Sequence, residues 1–188
     1  MIGEPQPAVV ELERAGRLRG KVLDVGCGTG EHTILLTRLG YDVLGVDASP
    51  EAIEQARRNA EAKGVGARFE AADAMNLPER PQYDTIVDSA LFHIFDDTDR
   101  PRYVASLHNA CKPGGVVHVL ALSTKGRGFG PEVSDDTIRT AFADGWALEA
   151  LEETTYRGVV TEVHAEQIGL PIGTRVDEPA WLARARRV

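Results

Sequence analysis

Short apolar runs alternate with amphipathic stretches through the first two thirds of the chain. Lys21 to Val25 is a β-rich run that stops at glycines, the pattern of a buried parallel strand. From Thr29 to Leu39, Ile34, Leu35, Leu36 and Leu39 recur at helical spacing, with Gly40 placed as a C-cap. Tyr41 to Val46 reads as the second strand. Ser49 as N-cap and Pro50 at the first helical position open a helix to about Lys63, ended by Gly64. Arg68 to Ala71 and Tyr83 to Asp88 read as the third and fourth strands. Arg100 to Cys111 is a helix stopped by Pro113-Gly114-Gly115, and Val116 to Leu122 is a fifth strand.

Strands alternating with helices across short connectors predict an α/β fold, a mostly parallel sheet with helices on both faces. The last third differs. Asp135 to Ala143 reads as a helix, Trp146 to Tyr156 as a long strand and Trp181 to Val188 as a short one. The stretch between these strands, Gly158 to Pro179, is loop-rich. Strands with no helix between them are expected to pair antiparallel.

The chain has 188 residues, 43% of them hydrophobic, enough for one domain with a real core. Lys plus Arg number 21 against 29 Asp plus Glu, a formal charge of −8 that disfavours nucleic acid as partner. No apolar run reaches the ~18 residues of a membrane helix, and no signal-like leader is present, so a soluble cytoplasmic protein is expected. Cys27 and Cys111 make neither a disulfide framework nor a zinc spacing.

The strongest motif is Val22-Leu23-Asp24-Val25-Gly26-Cys27-Gly28-Thr29-Gly30, a strand that turns through three glycines into a helix. Such a loop lets a ligand approach the backbone and presents free N–H groups. The dinucleotide spacing G-x-G-x-x-G fails from either start, because its third position falls on Glu31 or Thr33. Asp24 and Glu31 flank the loop, so a pyrophosphate is disfavoured and a ligand carrying an ammonium and a sulfonium is favoured. Asp47 ends the second strand, where a carboxylate can accept both hydroxyls of an adenosine ribose. Asp73 ends the third strand, placed to accept from an adenine amino group while Met75 packs on the ring. Asp88-Ser89 ends the fourth. Four strands ending in acids at one sheet edge point to a ligand site there.

Over essentially its whole length the chain resembles the class I S-adenosylmethionine-dependent methyltransferases. The first motif of that family falls on Asp24 to Gly30, its ribose acid on Asp47, its adenine acid on Asp73, and its strand-four motif on Asp84 to Ser89. Lys112-Pro113-Gly114-Gly115 before the fifth strand is also typical. The resemblance implies a Rossmann-like three-layer sandwich whose seven-stranded sheet has the order 3-2-1-4-5-7-6 and an antiparallel last strand. It implies S-adenosyl-L-methionine as cofactor, S-adenosyl-L-homocysteine as product, and Asp24, Gly26, Cys27, Gly28, Thr29, Gly30, His32, Asp47, Ala48, Asp73, Ala74, Met75, Asp88 and Ser89 as the cofactor site. Ile2 to Pro7 together with Asp88 to His93 is similar to the thiopurine-like and mycobacterial heterocyclic toxin methyltransferases. In that group the first segment follows an N-terminal extension covering cofactor and substrate, so residues 1–20 are expected to be a cap remnant.

In-line methyl transfer requires alignment, exclusion of water and, for a hydroxyl or thiol, removal of a proton. His93 is the first candidate for general base or substrate contact, against a packing role in its loop. Asp88 is the alternative base, with a cofactor or orienting role favoured for it. His32 is expected at the methionine carboxylate or in solvent. Cys27, His108 and His118 are expected to be structural, and no metal is expected; Asp96-Asp97-Thr98-Asp99 reads as capping plus solvated charge. Segments Ile2 to Pro7, Leu91 to Phe95 and 158–179 are expected to select and cover the acceptor, with Phe92, Phe95 and Phe129 as candidate walls. The expected activity is methylation of O, N or S of a small hydrophobic aromatic or heterocyclic acceptor, by a monomer or homodimer. The competing expectations are a non-catalytic cofactor-binding protein and, further off, an NAD-dependent oxidoreductase.

Overall fold

A computed structural model describes residues 2–188, apart from the side chain of Gln167; Met1, the first residue of the expected cap, lies outside the described residues. Strands β1 (Lys21–Val25), β2 (Asp42–Asp47), β3 (Arg68–Ala71), β4 (Tyr83–Ser89) and β5 (Cys111–Leu122) are followed by β6 (Trp146–Val159) and β7 (Arg175–Arg187). They form one sheet in the order β3-β2-β1-β4-β5-β7-β6. The first five pair in parallel, and β7 runs antiparallel to both β5 and β6. This is the strand order and the reversed strand that the family resemblance implied.

Helices α1 (Pro7–Arg14), α2 (Glu31–Arg38), α3 (Pro50–Ala62), α4 (Asp99–Ala110), α5 (Asp135–Ala141) and α6 (Glu162–Ile168) complete the chain. The apolar strand runs follow from burial on both faces. Val117, Val119 and Ala121 of β5 join Ala183 and Ala185 of β7 against Tyr103 and Leu107 of α4 and Ile138 of α5. On the opposite face Val22, Val43 and Val87 pack against Val9 and Leu12 of α1 and Leu36 of α2. Within the segment expected to be a cap remnant, α1 is therefore part of the core layer.

The loop-rich reading of 158–179 is corrected. β6 runs on to Val159, α6 follows, and β7 starts at Arg175, well before the expected Trp181. Pro179 concealed the strand. Its carbonyl accepts from the Ser123 N–H at 3.0 Å, so its nitrogen faces the same side, where the β5 ladder has already ended at Leu122↔Ala180. A proline costs no ladder bond there. The β6–β7 pairing continues past that point to Val159↔Arg175, so the hairpin overhangs the carboxyl edge of the sheet. Leu122, Phe129, Val160 and Val176 pack its tip, with Ile168 and Leu170 against them.

Smaller boundary corrections have local causes. α4 stops at Ala110 and the next strand begins at once with Cys111. Pro113-Gly114-Gly115 lies inside that strand, across a register shift between Tyr83 and Thr85 on β4.

Candidate functional site

The glycine loop sits at the carboxyl end of β1, between β2 and β4. Gly30 is the N-cap of α2 with φ 88°, and a Cβ built on it would lie 2.7 Å from the Phe69 ring and 3.0 Å from Ala56. A side chain would therefore meet both backbone strain and a filled core, which is the reason for glycine here. Asp24 lies beneath the loop, only 1% exposed, with Oδ2 accepting from Thr33 Oγ1 at 2.6 Å. Burial raises its pKa, and the nearby His32 and the Thr33 bonds oppose that shift. Asp24 thus shapes and charges the loop from below rather than lining the cleft.

Asp47 does line it. Its Oδ2 accepts from the Gly28 N–H and its Oδ1 from the Ser49 N–H, both at 2.9 Å. Each carboxylate oxygen keeps a lone pair, and two such oxygens match the vicinal hydroxyls of a ribose. Asp73 is exposed at the end of β3, where its Oδ1 accepts from the Met75 N–H at 2.9 Å and caps a single 3-10 turn, Ala74–Asn76. Ala74 and Met75 are half-buried beside it and Ala48 is exposed beyond Asp47. Acids at Asp24, Glu31, Asp47 and Asp73 around a glycine cradle fit a cationic adenosine-containing ligand and repel a pyrophosphate.

At the end of β4, Ser89 is half-buried and Ala90 has φ 72°, the one non-glycine residue with positive φ among the described residues. Asp88 holds this strained turn. It is 0% exposed, its Oδ1 accepts from the Leu91 and Phe92 N–H groups at 2.9 and 3.2 Å, and its Oδ2 accepts from Tyr103 Oη at 2.7 Å. Burial pushes its pKa up to about 6, against the lowering effect of those three bonds. Both oxygens accept hydrogen bonds and the carboxyl is shut off from solvent, so Asp88 organises the turn from the interior.

His93 lies in the next 3-10 turn, 7% exposed, and its Nδ1 accepts from the Leu122 N–H at 2.9 Å. Burial lowers its pKa to about 4. The imidazole is neutral with its proton on Nε2, which leaves no basic nitrogen free. Its bond ties the loop after β4 to the end of β5, the packing role weighed against catalysis.

Phe92 and Phe129 are not acceptor walls. Phe92 is fully buried and stacks on Phe142 at 5.9 Å, and Phe129 stacks on His164 of α6 at 4.1 Å. Phe95 is half-buried against Tyr103, 4.5 Å between ring centroids. Cys27 is buried and burial pushes its thiol pKa up, the opposite of a nucleophile. Asp96 Oδ1 accepts from the Thr98 and Asp99 N–H groups at 2.9 Å, a capping role as expected. His108 packs edge-on to Trp146, and His118 is buried in β5.

The N-terminal segment closes the cleft. Ile2, Gly3, Glu4 and Gln6 line it opposite Gly26, Gly28 and Ser89. His32 lines it as well, and its Nε2 accepts from the Gln6 N–H at 2.9 Å. Glu31, which the sequence places beside the loop, and Tyr156, which the sequence reading passed over, also line the site. Glu31 accepts from Thr29 Oγ1 at 2.6 Å, and Tyr156 arrives from the far strand β6. Alternation along β6 puts Tyr156 on one face with Thr154, a signal readable from sequence; that this face curls onto the glycine loop is not readable.

No helix among the described residues is long and apolar enough to cross a membrane. Among those residues no cluster of three or more His, Cys, Asp or Glu is placed to hold a metal ion.

Comparison with known proteins agrees with this geometry. Residues 22–115, half the chain, match the family model described as a methyltransferase domain. A solved structure from work on the conversion of a disulfide bond into a thioacetal group during echinomycin biosynthesis superposes with a TM-score of 0.89 at 40% identity. The match covers 99% of this chain and 84% of that one. The 2-heptyl-1-hydroxyquinolin-4(1H)-one methyltransferase of Mycobacteroides abscessus is 32% identical over 156 residues, 79% of this chain and 68% of the relative. Magnesium protoporphyrin IX methyltransferase from Synechocystis, solved with bound S-adenosylmethionine, shares the fold alone, with a TM-score of 0.70 at 18% identity over 96% of this chain and 76% of that one. With the strand order and the glycine loop in place, the chain belongs to the class I S-adenosylmethionine-dependent methyltransferases.

Proposed function

We propose that the chain methylates a small aromatic or heterocyclic acceptor whose O, N or S nucleophile enters the cleft already deprotonated or lone-pair bearing. The observation that carries this reading is the state of the two expected bases. Asp88 is fully buried with both oxygens hydrogen-bonded, and His93 Nδ1 is occupied by the Leu122 N–H. Tyr156, half-buried at the cleft, has its pKa raised by burial and by Glu31, so its phenol keeps its proton. None of the three is suited to strip a proton from a weakly acidic alcohol.

When bound, S-adenosylmethionine supplies an electrophilic methyl carbon on a sulfonium that leaves as a neutral thioether. The chain's own work is then binding, orientation and exclusion of water. Asp47 holds the ribose, the Asp73 turn receives the adenine, and the loop from Gly26 to Gly30 admits the backbone-close part of the cofactor. His93 Nε2–H is available to orient an acceptor oxygen or ring nitrogen. Two relatives support such an acceptor. One acts on an N-hydroxyquinolone, whose hydroxyl is acidic, and the other comes from chemistry at a disulfide, whose sulfur needs no deprotonation.

The same reading places the protein in the cytoplasm, as a monomer or homodimer acting on a small molecule and not on nucleic acid or a membrane. The formal charge of −8 supports the exclusion of nucleic acid. The test is methyl transfer from labelled cofactor to a panel of thiophenols and hydroxylated heterocycles with pKa values from about 5 to about 10. The pH–rate midpoint is expected to follow the pKa of each acceptor, and His93→Gln is expected to leave that midpoint in place. A midpoint that stays constant across the panel and disappears in His93→Gln would establish His93 as the base and overturn this reading.

A further inference from the structure

Gln6 makes three hydrogen bonds that join parts of the fold far apart in sequence. Its backbone N–H donates to His32 Nε2 in the first turn of α2, beside the glycine loop. Its carboxamide faces β6 in a two-way pair. Nε2 donates to the Arg157 carbonyl, and the Arg157 N–H donates to Oε1, both at 2.8 Å. Gln6 is 4% exposed, so these bonds are made out of water. Arg157 pairs in register with Asp177 across the hairpin, and the residue before it is Tyr156. A second tie between Glu4 and Arg175, at 2.7 Å and on the surface, runs in parallel.

The sheet order alone would leave β6 four positions from β1. Tyr156 nevertheless lines the same cleft as Gly26 and Gly28, because the overhanging hairpin bends back over the carboxyl edge. The Gln6 carboxamide is the polar joint at that bend. We propose that Gln6 is a positioning residue for methyl transfer: it fastens the β6–β7 hairpin over the cofactor loop and so holds Tyr156 at the acceptor side of the cleft. The inference rests on the reading of this cleft as the transfer site. It assigns the backbone N–H of Gln6 to the cofactor side and its side chain to the acceptor side.

The test compares the full chain with Gln6→Met and Gln6→Glu. Methionine fills the same space and makes neither side-chain bond; glutamate keeps an acceptor for the Arg157 N–H and loses the donor. Hydrogen exchange of backbone amides in 153–159 and 175–178 reads the hairpin, and calorimetric titration with S-adenosylhomocysteine reads the cofactor side. In Gln6→Met the hairpin amides are expected to exchange at least about tenfold faster, the scale of two buried neutral hydrogen bonds lost. Gln6→Glu is expected to fall between this and the wild type. The ligand Kd is expected to change less than about threefold, since the His32 bond uses backbone. With an acceptor from the panel above, the loss is expected to appear in KM more than in kcat. Unchanged hairpin exchange in Gln6→Met overturns the proposal. So does a uniform rise in exchange with an equal loss of ligand affinity, because that marks a structural residue only. Failure of the wild type to bind S-adenosylhomocysteine would instead remove the cofactor reading, while the exchange result would still decide the joint.

Discussion

Asp88 tests whether burial or hydrogen bonding governs the turn after β4. Its carboxyl is fully buried, and burial raises its pKa from 3.8 to about 6 despite three donors. The folded chain then binds this proton more tightly than the unfolded chain does. The stability contributed by that proton is fully present below about pH 4 and is lost as pH rises through about 6. Integrated over the window from pH 4.5 to 7.5, the loss comes to about 2 kcal/mol. Asp88→Asn mimics the protonated side chain and has no such dependence. It gives up one acceptor toward Tyr103, which lowers its stability by about 1 kcal/mol at low pH. Urea unfolding of both proteins at several pH values supplies the difference in stability, in which the titrations of His93 and His118 cancel. Relative to the wild type, the variant is expected to gain about 2 kcal/mol between pH 4.5 and 7.5. A flat difference, or a variant that loses ground as pH rises, would mean that the Leu91, Phe92 and Tyr103 bonds hold the carboxylate charged and that the burial argument is wrong.

Asp47→Ala removes the carboxylate that matches the ribose and orders Gly28 and Ser49. S-adenosylhomocysteine binding by calorimetry is expected to weaken about 10- to 100-fold, from charged hydrogen bonds of about 1.5–3 kcal/mol, and an unchanged Kd would relocate the ribose. Gly30→Ala puts a Cβ 2.7 Å from Phe69 at φ 88°, so a stability loss of about 2–4 kcal/mol and weakened ligand binding are expected in denaturant titration and calorimetry. Ala90→Gly relieves φ 72° and is expected to raise stability by about 0.5–1 kcal/mol, seen as a higher Tm; a lower one would show that the turn is unstrained.

The chain's local order was legible in its apolar pattern. Buried parallel strands read as short apolar runs, the glycine loop and the acids at strand ends read as a ligand edge, and the reversal of the last strand followed from the family likeness. These features are local or periodic, so a few neighbouring residues suffice to encode them. The connector read as loop because Gly169, Pro171 and Gly173 punctuate it and Pro179 follows, and only the ladder shows that the Pro179 nitrogen faces a side where no donor is needed.

The roles of the polar side chains were decided by the tertiary structure. His93 has the sequence position of a base, but the Leu122 N–H that occupies its Nδ1 comes from another strand, 29 residues away. His32 lines the cleft, and the partner of its Nε2, the Gln6 N–H, comes from 26 residues away. Gln6 and Arg157 meet across 151 residues because the hairpin bends over the sheet edge, and that bend also delivers Tyr156. Proton location and side-chain availability depend on which long-range partner burial brings within about 3 Å, and periodicity carries no such distance. The sequence by itself determined which residues could do chemistry and at which edge. The packing of β5, β6 and the N-terminal segment decided which of them remain free to do it.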